Sequence, residues 1–260
     1  MSWQRLSIEP KRGVASLTLN RPERGNAYDD VMLAELVEAL GQLGADAAVR
    51  IIVIRAAGKH FCVGADIGAH RQRQQASDAP RGADLVDMLT TLDALPKPTI
   101  AVLHGGCIGG AVAMVACCDI ALALEDAFFS IPEVRLGLTP TSLLPIFLRA
   151  MDYRAFRRYG LSGERFSAAE ALRLGLVHQL CRSETLDASL TEITEALLLG
   201  APGAIAALKR SAARHAAPPA SKEALRALER EFPGALRSPE AVEGVASFLE
   251  KRKPNWYPKA

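Results

Sequence analysis

Apolar and polar residues alternate through residues 3–8 and again through 13–19, and the Lys-Arg-Gly between them reads as a tight turn, so a hairpin is predicted to open the chain. The stretch "NRPERGNAYDD" is rich in turn formers. Asp29 or Asp30 is placed to cap the next helix, "VMLAELVEALGQL", whose apolar positions recur at helical spacing. "VRIIVIRAA" is a continuous β-branched run, the mark of a strand buried on both faces. The loop "GKHFCVGADIG" follows, and residues 69–83, polar and containing Pro and Gly, are expected to form a mobile loop feeding a helix over 84–95.

A second buried strand, "KPTIAVL", leads into "HGGCIGGAVAMVACC", a glycine-rich turn opening an apolar helix. "DIALAL" predicts a third strand, and "AFFSIPEVRLGLTP" a strand running into a loop. From about 142 the pattern is mostly helical, interrupted at Gly175 and by a short strand in "LVHQL". Two late helices begin with proline in the first turn, at Pro202 and at Pro239 after the N-cap Ser238. Strands alternating with helices define an α/β core over 1–195, followed by a helical region over 196–260.

Composition narrows the function. The net charge of +2 argues against nucleic acid as the main partner, because a dedicated binder carries a strong basic excess. The five cysteines are odd in number, form no CxxC pair and lie mostly in apolar stretches, which reads as free thiols in a reducing compartment. Five scattered histidines offer no metal-binding spacing. No apolar run approaches the length of a membrane span, and a soluble, cytoplasmic protein is expected.

Two segments draw attention chemically: "IIVIRAAGKHFCVGAD" and "TIAVLHGGCIGGAVAM". In each a buried strand ends in small residues, the place where α/β proteins bind ligands. Small residues let backbone N–H groups approach a ligand, and a helix start supplies free N–H groups to a developing anion. By pattern alone such glycines serve close packing at least as readily, and the phosphate-loop signature GxxxxGK[ST] is absent.

In order along the chain, "NRPERGNA", "GKHFCVGADI", "HGGCIGGAVAMVACCDIAL", "FSIPEVRLGLTP", "LSGERFSAAEALRLGLV" and "ASFLEKRKPNW" resemble the motifs of the crotonase (enoyl-CoA hydratase/isomerase) superfamily, over about residues 12–256. The resemblance implies an α/β spiral of ββα units with a C-terminal helical oligomerisation region, commonly a trimer or a dimer of trimers. It also implies an acyl-CoA substrate and no separate cofactor, coenzyme A being part of the substrate. By position, Ala65 and Gly110 match the two amides that hold the thioester oxygen. Arg24, Gly25 and Ala27 match the coenzyme A path, Ala65, Asp66 and Ile67 its adenine border, and Phe248 and Lys251 the C-terminal contacts often made from a neighbouring subunit.

Glu133 in "IPEVRLG" matches one of the two family glutamates. The other, three residues after the second oxyanion glycine, is replaced by Ala113. Apolar neighbours on both sides of Glu133 should raise its pKa and suit it to carry a proton, the alternative being a surface ion pair with Arg135. His104 reads as a structural hydrogen bonder and Asp119 as a cap or packing residue. Asp66 serves loop geometry or a polar ligand contact. Together with "EVRLGLTPTSLLP", the non-acidic residue at 113 resembles the bacterial methylglutaconyl-type hydratases. The expected activity is hydration of an α,β-unsaturated acyl-CoA. A Δ3-Δ2 enoyl-CoA isomerase using a single glutamate is the alternative within the class, and a non-catalytic coenzyme A- or RNA-binding relative the alternative outside it.

Overall fold

The computed structural model describes residues 3–66, 68, 83–215, 239–240, 243, 246–247 and 250–258. Most of the anticipated loop at 69–83, together with Ile67, Phe248 and Ser238, lies outside the described residues.

The hairpin consists of β1 (Leu6–Lys11) and β2 (Val14–Leu19), joined by Arg12 and Gly13, both at positive φ. It is shifted from the predicted 3–8, because Pro10 belongs to the strand. That is tolerated since β1 lies at the edge of its sheet, where a missing N–H costs no ladder bond. Parallel pairing then adds β3 (Ile51–Ala56), β4 (Thr99–Leu103), β6 (Ile120–Leu124) and β9 (Gln179–Cys181) in the order β1-β2-β3-β4-β6-β9. A small second sheet contains β5 (Gly106–Ile108), β7 (Phe128–Ser130) and β8 (Phe166–Ser167). The repeating unit is thus a long strand in the large sheet, a short one in the small sheet, and a helix. Sequence pattern misses β5 and β8, which have three and two residues and take their strand character from pairing alone.

Helix α1 (Asp30–Ala45) is capped by Asp29, whose carboxylate accepts the Met32 N–H at 2.9 Å. Helix α2 (Leu85–Asp93) starts with a reciprocal capping box between Asp84 and Asp87. Helix α3 (Gly110–Ala116) is short and buried, and is followed by α4 (Leu144–Ala150), α5 (Tyr153–Ser162), α6 (Ala168–Arg173), α7 (Leu186–Leu199) and α8 (Pro202–His215). Residues 239–240, 243 and 246–247 are helical as well.

The large sheet has apolar clusters on both faces, as the unbroken apolar runs require. Ile52, Ile54, Ala101 and Leu103 point into the main core with α1, α2 and α3. Ile51, Val53, Ile100 and Val102 point the other way, toward Leu190, Ile193, Leu197 and Leu198 of α7. The sequence-based boundary at 195 therefore falls inside a helix that seals the sheet. The segment at 254–258 returns to this second face: Arg50 donates to the carbonyls of Trp256 (2.5 Å) and Gly200 (2.7 Å), and the Trp256 indole donates to Leu199.

Arg50 therefore clamps the end of α7 and residues 254–258 to the sheet. Arg50→Ala leaves both carbonyls without their donor, and the expected loss is about 1–3 kcal/mol. The check is a lower denaturation midpoint at unchanged m-value; a change under about 0.5 kcal/mol would show the clamp to be idle.

Candidate functional site

Two loops are laid side by side by strand-like pairing. After β3, Phe61 N–H donates to the His104 carbonyl, Cys62 N–H to Gly106, and Ile108 N–H back to Cys62, making a parallel bridge between Cys62 and Cys107. Gly64, at φ +92°, can sit against this second loop only without a side chain, since a Cβ there would lie 3.0 Å from the Ile108 carbonyl oxygen. On its other side the first loop pairs with Tyr28: the Tyr28 N–H donates to Gly64 and the Asp66 N–H to the Tyr28 carbonyl. In such a parallel bridge the neighbours of Ala65 make the bonds, and the Ala65 N–H faces the opposite side. It has no acceptor among the described residues.

The second loop ends the same way. Gly109 N–H closes the β5–β7 ladder on the Ser130 carbonyl at 2.8 Å. Gly109 then turns the chain at φ +62°, ψ −132°, and Gly110 begins α3 with its N–H also lacking an acceptor among the described residues. Both sequence-predicted amides are therefore unpaired, on loops locked together by backbone hydrogen bonds.

The β5–β7 pairing also delivers Glu133. Three residues beyond Ser130, it opens a one-turn 3₁₀ helix (Glu133–Leu136) and lays its carboxylate on the backbone of Gly109, where an added Cβ would sit 3.0 Å from Oε1. Oε2 is buried without a hydrogen-bond partner, and burial pushes the carboxyl pKa above the ordinary glutamate value. The surface ion pair with Arg135 does not form, because Arg135 Nε donates to the Ser162 carbonyl instead. Ala113 is fully buried inside α3, so its position offers no second carboxylate.

A buried polar brace behind the loops carries residues that sequence reasoning passed over. Asn26, fully buried and at φ +56°, donates to the carbonyls of Ala57 and His60 (both 2.8 Å) and accepts the Arg21 N–H. Arg21 bonds the Ala27 carbonyl and pairs with Asp29 (3.4 Å) and Asp66 (2.9 Å). The turn signature in "NRPERGNA" is the sequence trace of this brace. His60 accepts the Gly106 N–H on Nδ1, and burial lowers its pKa, so it is a neutral loop tie. Tyr28 was also missed. Its ring is 9% exposed and its hydroxyl packs on Gly110.

The residues expected along coenzyme A divide. The Gly25 carbonyl accepts the Val63 N–H of the first loop, Ala27 is buried beside it, and Arg24 is exposed on the preceding turn. Asp66 is engaged by Arg21, and its other oxygen accepts the Gly68 N–H, so it organises the loop. Lys251 is exposed at φ +53°, in a segment whose Tyr257 packs on the α7 face; among the described residues no contact joins Lys251 to Ala65 or Gly110 within one chain. Ile67 and Phe248 lie outside the described residues.

Other candidates are structural. His104 Nε2 bonds the Gly58 carbonyl, and Asp119 accepts from Thr99 and Lys209. All five cysteines are buried and free, and burial pushes the Cys62 thiol up to about 12. Among the described residues no His, Cys, Asp and Glu cluster is arranged to hold a metal, and no single helix is long and apolar enough to cross a membrane.

A crystal structure of an enoyl-CoA hydratase from Shewanella pealeana superposes with a TM-score of 0.90, at 35% identity over 98% of this chain and 96% of that one. Mevalonyl-coenzyme A hydratase of Aspergillus fumigatus is 32% identical over 96% of this chain and 93% of its own length. A peroxisomal Δ(3,5)-Δ(2,4)-dienoyl-CoA isomerase of Arabidopsis thaliana is 31% identical, over 98% of both chains. The family model for enoyl-CoA hydratase/isomerase matches residues 9–259, and with two unpaired loop amides beside a desolvated glutamate, the chain belongs to the enoyl-CoA hydratase/isomerase family, the crotonase superfamily.

Proposed function

We propose that this protein hydrates an α,β-unsaturated acyl-CoA, with Glu133 moving the proton and the Ala65 and Gly110 amides holding the thioester oxygen. The observation that carries the reading is the Glu133 carboxylate, partly desolvated and with one oxygen free, lying on the turn that ends in the unpaired Gly110 N–H. Negative charge gathers on the thioester oxygen as water adds to the β-carbon, and two fixed donors stabilise it; one such donor is typically worth about 2.7–4 kcal/mol. Glu133 takes a proton from the water and delivers it to the α-carbon, so the product carries hydroxyl at the β-carbon and the carboxylate is restored. Coenzyme A runs along Arg24, Gly25, Ala27, Asp66 and Ile67. The resemblance of "EVRLGLTPTSLLP" to methylglutaconyl-type hydratases supports a branched or glutaconyl acyl chain.

Isomerisation is the second reading, favoured by the buried Ala113: moving one proton between two carbons needs only one carboxylate. Oxygen from heavy-oxygen water at the β-carbon of the product supports hydration. A shifted double bond with no label incorporated supports isomerisation.

Glu133→Gln keeps the shape and removes the proton carrier, and turnover should fall about 10²–10⁴-fold. The same variant should melt higher than wild type at neutral pH. A carboxyl whose pKa is raised by folding binds its proton more tightly in the native state, so its ionisation destabilises the fold as pH rises past the unfolded value. That advantage should vanish below the ordinary glutamate pKa. Retained turnover would remove Glu133 from the mechanism.

Coenzyme A near 100 times its Kd should stabilise the protein by about 2.7 kcal/mol, and an unchanged melting temperature would argue against an acyl-CoA site.

Leu199 and Leu208, 50% and 69% exposed on α7 and α8, support assembly into trimers or dimers of trimers, in which Phe248 and Lys251 reach coenzyme A on a neighbouring copy. Light scattering should give a mass in multiples of three chains; a fully active monomer would exclude this arrangement.

A further inference from the structure

Tyr28 is a polar side chain at the site for which the reaction above has no task. The residue is nine-tenths buried, but its hydroxyl is not sealed in, and it makes no side-chain hydrogen bond among the described residues. A phenol whose ring is packed while its hydroxyl stays open presents an apolar body and a polar tip, an arrangement suited to meeting a bound ligand. The hydroxyl stands over Gly110: a Cβ on that residue would collide with it and come within 2.7 Å of Leu85 Cδ2. Glu133 meets the preceding residue, Gly109, in the same manner. The carboxylate and the phenol therefore flank two consecutive residues of one turn, the second of which bears an unpaired amide. Burial first, then the neighbouring Cys62 and Glu133, keep the phenol protonated and hence a donor at neutral pH.

We propose that Tyr28 is the second polar catalytic residue of the site, its hydroxyl donating a hydrogen bond to the oxygen at the substrate β-carbon. The inference rests on the hydratase reading. As the carbon–oxygen bond forms, the water oxygen gives its electron pair to the β-carbon, and the π electrons move to the thioester oxygen. One water proton passes through Glu133 to the α-carbon. In the reverse direction the same phenol steadies the departing hydroxyl. Tyr28 keeps its own proton throughout, so no further reactant is needed. The role falls to a side chain placed by the Tyr28 and Ala65 backbone bridge, which compensates for the alanine at 113.

Tyr28→Phe removes only the hydroxyl and separates this role from packing. Two rates are measured on wild type and variant: hydration of an enoyl-CoA, and exchange of the α-protons of a saturated acyl-CoA in heavy water, which needs only Glu133 and the two amides. Hydration should fall about 10–100-fold in kcat, the size of one hydrogen bond to a group gaining charge, while KM and α-proton exchange stay within about twofold. The melting temperature should not drop, because no hydroxyl partner is lost. Unchanged hydration, or equal losses in hydration and exchange, would overturn the proposal; the second result would mean that Tyr28 acts through the glutamate or the amides. Wild type that exchanges α-protons but never adds water would sink the hydratase reading itself, and Tyr28's role with it.

Discussion

Keeping a backbone N–H fixed yet unpaired is the constraint around which this structure is arranged. A buried amide normally finds an acceptor, and leaving one empty costs free energy that the surroundings must offset. Ala65 meets the constraint through a parallel bridge, in which Gly64 and Asp66 bond to Tyr28 and the amide between them is turned away. Gly110 meets it by starting a helix immediately after the β5–β7 ladder ends. Neither device involves a side chain at the amide itself, which is why alanine and glycine suffice there.

Rigidity comes from behind. Asn26 and Arg21 spend their polar atoms on loop carbonyls and on Asp29 and Asp66, so the turn at residues 21–28 is tied to both the α1 cap and the loop carrying Ala65. A network whose members each serve two elements moves as one body. His60 ties the loop carrying Ala65 to Gly106 at the start of β5, and its lowered pKa keeps it neutral in that task. In the proposed hydration, activity and stability at Glu133 pull in opposite directions, since the desolvation that would ready the carboxylate for proton transfer also penalises its charge.

Long apolar runs were legible in the sequence because their cause is local. "VRIIVIRAA" and "KPTIAVL" can satisfy their apolar side chains only between two covered faces, and the caps at Asp29 and Asp84 are side-chain chemistry visible within three residues. The ordered motifs likewise marked Ala65, Gly110 and Glu133. Less visible were β5 and β8, whose few residues have strand geometry only because a distant partner supplies the hydrogen bonds.

The sequence by itself determined the α/β class and the family, because periodicity and the ordered motifs are written residue by residue, and it marked the two loops and the glutamate on which the proposed function rests. Tertiary structure alone decided which groups meet. Glu133 reaches Gly109 because β7 aligns with β5. Arg135 is drawn to the Ser162 carbonyl, and Tyr28, an unremarked aromatic before a helix cap, arrives over Gly110. Such contacts depend on strand register and on segments 24, 27 and 82 residues apart, and no local pattern of side chains encodes them.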